Sequence, residues 1–265
     1  MSKSLVQAQF GANAANYASS AVHATGASLA RLVELVGPRS TWAALDIATG
    51  AGHTAAAFAP HVASVIASDL TPQMLLEAAK LATAKGFANM TTAPADAEAL
   101  PFADAAFDLV TCRIAPHHFP DIPTFVSEAQ RVLRPGGTFA LVDNVAPDAA
   151  TTPDFSKAEL RDADLTYNAF EKIRDPSHGR ALTTGAWLEI AADSGLEIVH
   201  TEHQLKAMDF DTWCRTMAVP SDQVPRLAAM LREAKPALAA FLRPTETDGH
   251  LAFTLAELIL IAKKK

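Results

Sequence analysis

The chain has only two cysteines, Cys112 and Cys214, far apart and outside any C-x-x-C pair. A disulfide framework and a zinc site are therefore not expected, and no metal is assigned. There is no basic surplus: 22 Lys and Arg against 29 Asp and Glu leave a formal charge of −7. That balance gives no reason to expect a nucleic-acid partner. No apolar run approaches the roughly 18 residues a membrane span needs, and the N-terminus lacks the continuous apolar stretch of a signal peptide. A cytoplasmic protein is the expectation. The Lys263-Lys264-Lys265 ending reads as a solvated tail.

What is present describes an ordinary globule. Hydrophobic residues make up 49% and charged residues 19% of 265 positions, enough apolar material for a sizeable core. Residues 3–36 read as helical. Leu29, Leu32, Val33 and Val36 share one helix face, and Gly37-Pro38 ends it. The following hundred residues alternate strand and helix. Strands are expected at 42–48, 62–68, 90–93, 107–112 and 138–143. Helices are expected from 54, over 73–85 and over 122–133. Thr71-Pro72 reads as an N-cap with proline at the first helical position, and Arg134-Pro135-Gly136-Gly137 as a turn needing positive φ. Such alternation implies a parallel sheet with right-handed crossovers and helices on both faces. Beyond Asn144 the pattern becomes charged, helical and irregular, with further apolar runs at 196–204 and 255–262. One domain is expected: a helical flap (1–38), a core (40–145) and a C-terminal half (146–265) carrying insertions on the substrate side.

The central constellation is Leu45-Asp46-Ile47-Ala48-Thr49-Gly50-Ala51-Gly52-His53-Thr54-Ala55. It follows a strand and opens a helix. Glycines there let the backbone approach a ligand, and a helix N-terminus offers unpaired N–H groups. Seventeen residues after Gly52 the second strand ends in Asp69, whose carboxylate suits ribose hydroxyls. These features alone leave the cofactor open, because Gly50-x-Gly52-x-x-Ala55 also satisfies a dinucleotide pattern. An NAD-dependent oxidoreductase is thus one reading.

Five ordered stretches carry a more specific resemblance. They are Leu45–Gly52, Ser68-Asp69-Leu70-Thr71-Pro72-Gln73-Met74-Leu75, Asp96-Ala97-Glu98-Ala99-Leu100-Pro101-Phe102, Phe107-Asp108-Leu109-Val110, and Arg131-Val132-Leu133-Arg134-Pro135-Gly136-Gly137. Over about residues 40–145 the chain resembles the class I S-adenosylmethionine (SAM)-dependent methyltransferases. Within them it is most similar to the type 11 branch that includes ubiquinone/menaquinone-biosynthesis enzymes. Ala48 stands where that family has the first glycine of its motif. The resemblance implies a Rossmann-like α/β fold, with a seven-stranded, mostly parallel sheet and an antiparallel last strand. It implies SAM as cofactor and a small-molecule methyl acceptor. A non-catalytic SAM-binding protein is the alternative.

The resemblance also distributes roles. The Ala48–Gly52 turn, with Gly50, would face the methionine part of SAM, and Asp46 would orient that turn or the ammonium. Asp69 would hold the ribose hydroxyls, and Leu70 and Met74 would flank the adenine. Asp96 would accept from the adenine amino group, the Ala97 backbone would meet a ring nitrogen, and Arg113 would lie near the sulfonium. SAM carries an activated methyl group, so the protein mainly aligns a nucleophile. An oxygen or carbon acceptor can also require a base. His117 and His118, in the loop beyond strand four, are the candidates. Tyr17 and His23 in the flap, Asp143 and Asn144 ending strand five, and Arg174 and His178 in the cluster Arg174-Asp175-Pro176-Ser177-His178 are candidate lid or substrate contacts.

Overall fold

The computed structural model describes residues 3–18 and 26–265, without the side chains of residues 9 and 12–18. In chain order the elements are α1 (Lys3–Ala18), α2 (Ala27–Val36), β1 (Ala43–Ile47), α3 (His53–Phe58), β2 (Ser64–Asp69), α4 (Pro72–Lys85) and β3 (Met90–Pro94). There follow β4 (Phe107–Arg113), α5 (Ile122–Val132), β5 (Leu133–Asn144), α6 (Lys157–Arg174), α7 (Thr184–Asp193), β6 (Leu196–Asp209) and α8 (Phe210–Thr216). The chain finishes with α9 (Val224–Arg232), α10 (Pro236–Leu242), β7 (Thr245–Thr247) and β8 (His250–Lys264). Two compact units result. One holds the residues through Asp143 with Glu189–Glu202 and Ile259–Lys265; the other holds Asn144–Leu188 and His203–Leu258.

The sheet order is β3-β2-β1-β4-β5-β8-β6, and β1 to β5 pair in parallel. Alternate side chains along each strand go to opposite faces. Ala44, Val65, Leu109, Ala140 and Val142 join one core cluster with Leu32 of α2, Phe58 of α3 and Ala78 of α4. The intervening Leu45, Ile47, Val110 and Phe139 are equally buried, and Phe139 meets Phe125 of α5 with ring centroids 6.0 Å apart. Helices therefore cover both faces, and the fold is the Rossmann-like one with antiparallel C-terminal strands.

Several elements differ from the sequence-based expectation for local reasons. Among the described residues the main sheet path has the expected seven strands, and an eighth, the three polar residues of β7, pairs antiparallel with the start of β8 off that path. A segment so short has no hydrophobic alternation to reveal it. Within the expected 3–36 helix the described residues form α1 and α2, with Gly26 outside both, and residues 19–25 lie outside the described ones. Residues 134–137 belong to β5, but the register jumps from Phe107↔Leu133 to Leu109↔Thr138, so the expected turn is a bulge inside a strand. Only Gly136 of its two glycines has positive φ. Gly137 is needed for closeness, since a Cβ there would lie 2.8 Å from the Arg134 carbonyl oxygen. Thr71 is the N-cap residue of α4, yet its side chain makes no capping bond. The lysine tail is partly docked: Lys263 Nζ donates to Thr138 Oγ1 at 2.7 Å and Lys264 Nζ to the Arg131 carbonyl at 3.3 Å.

The second unit is anchored by an aromatic cluster. Phe170 of α6 stacks on Trp213 of α8 at 4.8 Å, with Phe253 of β8 5.0 Å from the same indole. A capping box between Ser156 and Glu159 starts α6. Among the described residues, no helix is long and apolar enough to cross a membrane, and no group of three or more His, Cys, Asp or Glu could hold a metal ion.

Gly52 joins β1 to α3 at φ 88, and a Cβ there would lie 2.9 Å from both Ala78 Cβ and Met90 Cε. Gly52→Ala should cost about 2–4 kcal/mol, combining left-handed strain with overpacking. Urea denaturation of the two proteins measures it.

Candidate functional site

Parallel strands bring their C-terminal ends to one edge, and a ligand crevice opens where the chain reverses direction across the sheet. Here that point is between β1 and β4, since β2 and β3 extend the sheet to one side and β4 and β5 to the other. After β1 the chain makes a tight turn with Ala48 at φ 51, Gly50 at φ 54 and Gly52 at φ 88. Thr49 N donates to the Ser68 carbonyl at 2.8 Å, which ties the turn to β2. After β4, Ile114 repeats the left-handed step at φ 54, an unusual conformation for a β-branched residue. Strained backbone thus gathers at this edge.

Asp46 organises the turn from below. It is 1% exposed. Its Oδ1 accepts from Thr111 Oγ1 at 2.6 Å, and its Oδ2 from Thr49 Oγ1 at 2.6 Å and Ala55 N at 3.2 Å. Burial pushes its carboxyl up to about 6, against the pull of the Thr111 and Thr49 hydroxyls and the Arg113 charge. One carboxylate therefore joins β1, β4, the turn and the first turn of α3. Asp69, ending β2, accepts from Gly50 N at 2.9 Å through Oδ2 and from Thr71 N at 2.8 Å through Oδ1. Burial raises its pKa, while the bonds from Thr71 and Gly50 oppose the rise.

The loop after β3 is held by the arginine of the fifth motif. Arg131 Nη2 donates to the Leu100 carbonyl at 3.0 Å, and Nη1 to the Phe102 carbonyl and Asp104, each at 2.8 Å. Glu128, bonded to Arg131, also accepts from Leu100 N at 2.7 Å. Two motifs distant in sequence are thus one structural device. It presents Asp96, whose Oδ1 accepts from Glu98 N at 3.0 Å in a tight local turn.

These pieces line one cleft, a concave site of the kind that small ligands occupy. Ala48, Gly50, Asp69, Leu70 and Met74 face it, as do Asp96, Ala97, Arg113 and His118. Most of the cofactor residues expected from the sequence therefore converge. Asp46 and Gly52 support the turn and do not line the cleft. The two histidines are both buried, with ring centroids 4.2 Å apart, but they differ in what else they meet. His118 lines the cleft and meets Phe10 edge-on at 4.9 Å. His117 is buried and bonded through Nδ1 to Asp143 Oδ1 at 2.6 Å, which ties the loop after β4 to the end of β5.

The remaining substrate candidates lie elsewhere. Arg174 stacks over Trp213, its Cζ 4.6 Å from the ring centroid, and Nε donates to the Trp213 carbonyl. His178 Nε2 lies 3.0 Å from Asn168 Oδ1. Both belong to the second unit, as does Asn144, and none lines this cleft. The Tyr17 side chain and His23 fall outside the described residues.

Sequence reading missed the contribution of α1. Lys3 Nζ lies 2.6 Å from Asp96 Oδ2 and 2.6 Å from Glu98 Oε2, and Gln7 Nε2 donates to the Leu70 carbonyl at 2.9 Å. Val6 and Phe10 line the cleft. Burial lowers the Lys3 pKa, but the bonds to Asp96 and Glu98 outweigh it and raise the value overall. The signal was available: positions 3, 6, 7 and 10 fall on one helix face. Because that face mixes charge, amide and apolar groups, hydrophobicity alone does not mark it.

Comparison with known proteins agrees with the geometry. A family model described as a methyltransferase domain matches residues 45–141. YcgJ of Bacillus subtilis, an uncharacterized methyltransferase, is 33% identical over 225 residues, 85% of each chain. Its solved structure superposes with a TM-score of 0.82, covering 90% of this chain and 98% of that one at 31% identity. The ubiquinone/menaquinone biosynthesis C-methyltransferase UbiE of Brucella anthropi is 34% identical over 152 residues, 56% of this chain and 54% of that protein.

Two predictions follow from the turn. Ala48→Gly relieves a left-handed alanine and should stabilise the protein by about 0.5–1 kcal/mol, net of the added freedom of the unfolded chain, by chemical denaturation. For Asp46 the folded pKa lies above the unfolded value of 3.8, so its contribution to stability is largest at low pH and declines as pH rises through about 6. The stability advantage of wild type over Asp46→Asn should shrink by about 2 kcal/mol between about pH 4 and pH 7, read by urea titrations at both.

Proposed function

This chain belongs to the class I S-adenosylmethionine-dependent methyltransferases, and from that premise we propose that it transfers the methyl group of SAM to an oxygen or carbon atom of a small molecule. The observation that carries the reading is one cleft at the ends of β3, β2, β1 and β4, with Asp96, Asp69, the Ala48–Gly52 turn and Arg113 in that order. That order follows the parts of the cofactor: adenine, ribose, methionine. The chemistry of the donors fits as well. Asp69 and Asp96 are acceptors for ribose hydroxyls and an exocyclic amine, and Leu70, Met74 and Ala97 offer apolar or backbone surface beside a flat ring.

When bound, SAM supplies a methyl group already activated on a sulfonium. The chain's own residues hold and align. Asp69 accepts the ribose hydroxyls while fixing Gly50. Asp96 takes the adenine amino group, and the Ala97 backbone N–H meets a ring nitrogen. Asp46 keeps the turn in place without touching the cleft. Phe10 and Val6 of α1 shield the cleft from water. His118, the histidine that faces the cleft, removes a proton from the acceptor as the methyl group arrives. His117, held by Asp143, positions the short 116–118 turn that carries His118.

Calorimetric titration with SAM and S-adenosylhomocysteine should give micromolar binding of both. Asp69→Ala should weaken both about tenfold or more, the loss of hydrogen bonds to a charged acceptor. His118→Ala should leave S-adenosylhomocysteine binding within about twofold. It should lower methyl transfer to any acceptor found by screening by about 10²–10⁴-fold, the usual worth of a general base. A wild-type protein that binds neither nucleoside would sink the proposal.

A further inference from the structure

We infer that Phe10 of α1 is a positioning residue for His118: its ring sets the orientation of the imidazole, so that the base is aligned only while α1 is seated on the cleft. The inference rests on the reading of His118 as the general base. It goes beyond that reading, in which α1 only shields the cleft from water.

The backbone that carries His118 is fixed. Pro116–His118 is a single 3₁₀ turn, in which His118 N donates to the Ala115 carbonyl at 2.9 Å and Phe119 N to the Pro116 carbonyl at 2.8 Å. Upstream, Ile114 N donates to the Val142 carbonyl at 2.8 Å. Downstream, Asp121 caps α5 by accepting from Thr124 N at 3.0 Å. What this leaves undetermined is the rotation of the ring, because a torsion that ends on an sp² carbon is broad and roughly two-fold. A half-turn of the imidazole exchanges its nitrogens for carbons. A base turned the wrong way offers no lone pair to the acceptor's proton, and proton transfer is a matter of geometry first.

Two rings pack on this imidazole. His117 lies with its centroid 4.2 Å away at an interplanar angle of 47°, and as the preceding residue it is present whatever α1 does. Phe10 comes from a distant part of the chain and meets His118 edge-on, at 4.9 Å and 81°. Both Phe10 and His118 line the cleft. An aromatic pair in edge-to-face geometry favours its own arrangement by about 2–10-fold beyond the area it buries. That is enough to bias a two-fold torsion toward one state.

The placement of Phe10 is set by the other end of its helix. Lys3 Nζ lies 2.6 Å from Glu98 Oε2, and Glu98 Oε1 accepts from Asp121 N at 2.7 Å. One carboxylate thus links the start of α1 to the chain just beyond His118. From Lys3 to Phe10 the helix rises about 10 Å, and from Asp121 back to His118 the chain reaches no further than about 10 Å. Helix and loop are therefore joined at two points, Glu98 and the Phe10–His118 contact. Lys3 also bonds Asp96 at 2.6 Å and Gln7 the Leu70 carbonyl at 2.9 Å, which fixes the rotation of α1 about its axis, since positions 3, 7 and 10 share a face. The consequence is an order of events. With α1 lifted, the cleft is open and His118 lacks the ring that orients it. Seating α1 excludes water and aligns the base in one step.

The test reads the imidazole directly and needs neither acceptor nor cofactor. The ring carbons of isotope-labelled histidine are followed by NMR relaxation dispersion, with the His118 signals identified by their loss in His118→Gln and each variant's fold checked by circular dichroism. Wild type should hold His118 in one dominant orientation. Phe10→Leu keeps the apolar bulk and removes the ring, and should raise the population of a second orientation by about 2–10-fold. Phe10→Tyr, which restores a ring, should return the wild-type signals. A double variant, Lys3→Met with Gln7→Leu, leaves Phe10 in place but removes its helix's polar anchors, and should move His118 in the same direction as Phe10→Leu. Wild-type His118 signals in folded Phe10→Leu overturn the inference. Wild-type signals in the double variant overturn it as well, and decide the matter should the Leu variant not fold. The reading of His118 as the base is judged separately, by methyl transfer in His118→Ala, so an ordered ring held by Phe10 in a protein whose transfer survives that substitution refutes the base and not the contact.

Discussion

The carboxylate of Asp46 is the contact on which the site depends. It lies beneath the turn, out of water, and its acceptors are shared among Thr111 of β4, Thr49 of the turn and Ala55 N of α3. Removing those donors would leave a buried charge without compensation, a large cost. Keeping them fixes how far β1 and β4 sit apart at their open ends and where α3 begins. The Ala48–Gly52 turn inherits its shape from that arrangement, and Asp69 completes it by accepting from Gly50. Substituents on this turn are small for the same reason: Ala78 of helix α4 and Met90 at the start of β3 press against Gly52 from behind.

A second constraint acts at the far end of the cleft. The loop after β3 is irregular, and its carbonyls at Leu100 and Phe102 are met by the Arg131 guanidinium. The helix that carries Arg131, α5, also packs Phe125 into the core. The loop is therefore fixed to a rigid element, as presentation of Asp96 requires.

Much of the first unit was legible because its strands and helices obey simple periodicities and its turn is built from glycines. The place of Asp69 is legible from its position at a strand end, and the convergence of the other lining residues on one cleft from the order of motifs. What stayed hidden depends on contacts distant in sequence. Arg131 could be seen as a motif residue, but not as the partner of a loop some thirty positions earlier. His117 and His118 are indistinguishable as neighbours, and only the turn that carries them sends one toward the cleft and the other toward Asp143. Arg174 and His178 read as substrate contacts because they are polar and clustered. The structure gives each a local partner, Trp213 for the first and Asn168 for the second. The β5 bulge was read as a turn because Pro-Gly-Gly breaks a strand in most contexts, and here the pairing simply resumes three residues out of step.

The bond between Lys3 and Asp96 ties the N-terminal helix to the same carboxylate that an adenine amino group would use. Lys3 takes Oδ2 while Oδ1 accepts from Glu98 N, and an ionised carboxylate has room for further bonds at either oxygen. A ligand donor that reached Asp96 would therefore join this network without having to displace Lys3. By linkage, any free energy that the two contacts share would be felt equally by the ligand and by the seating of α1.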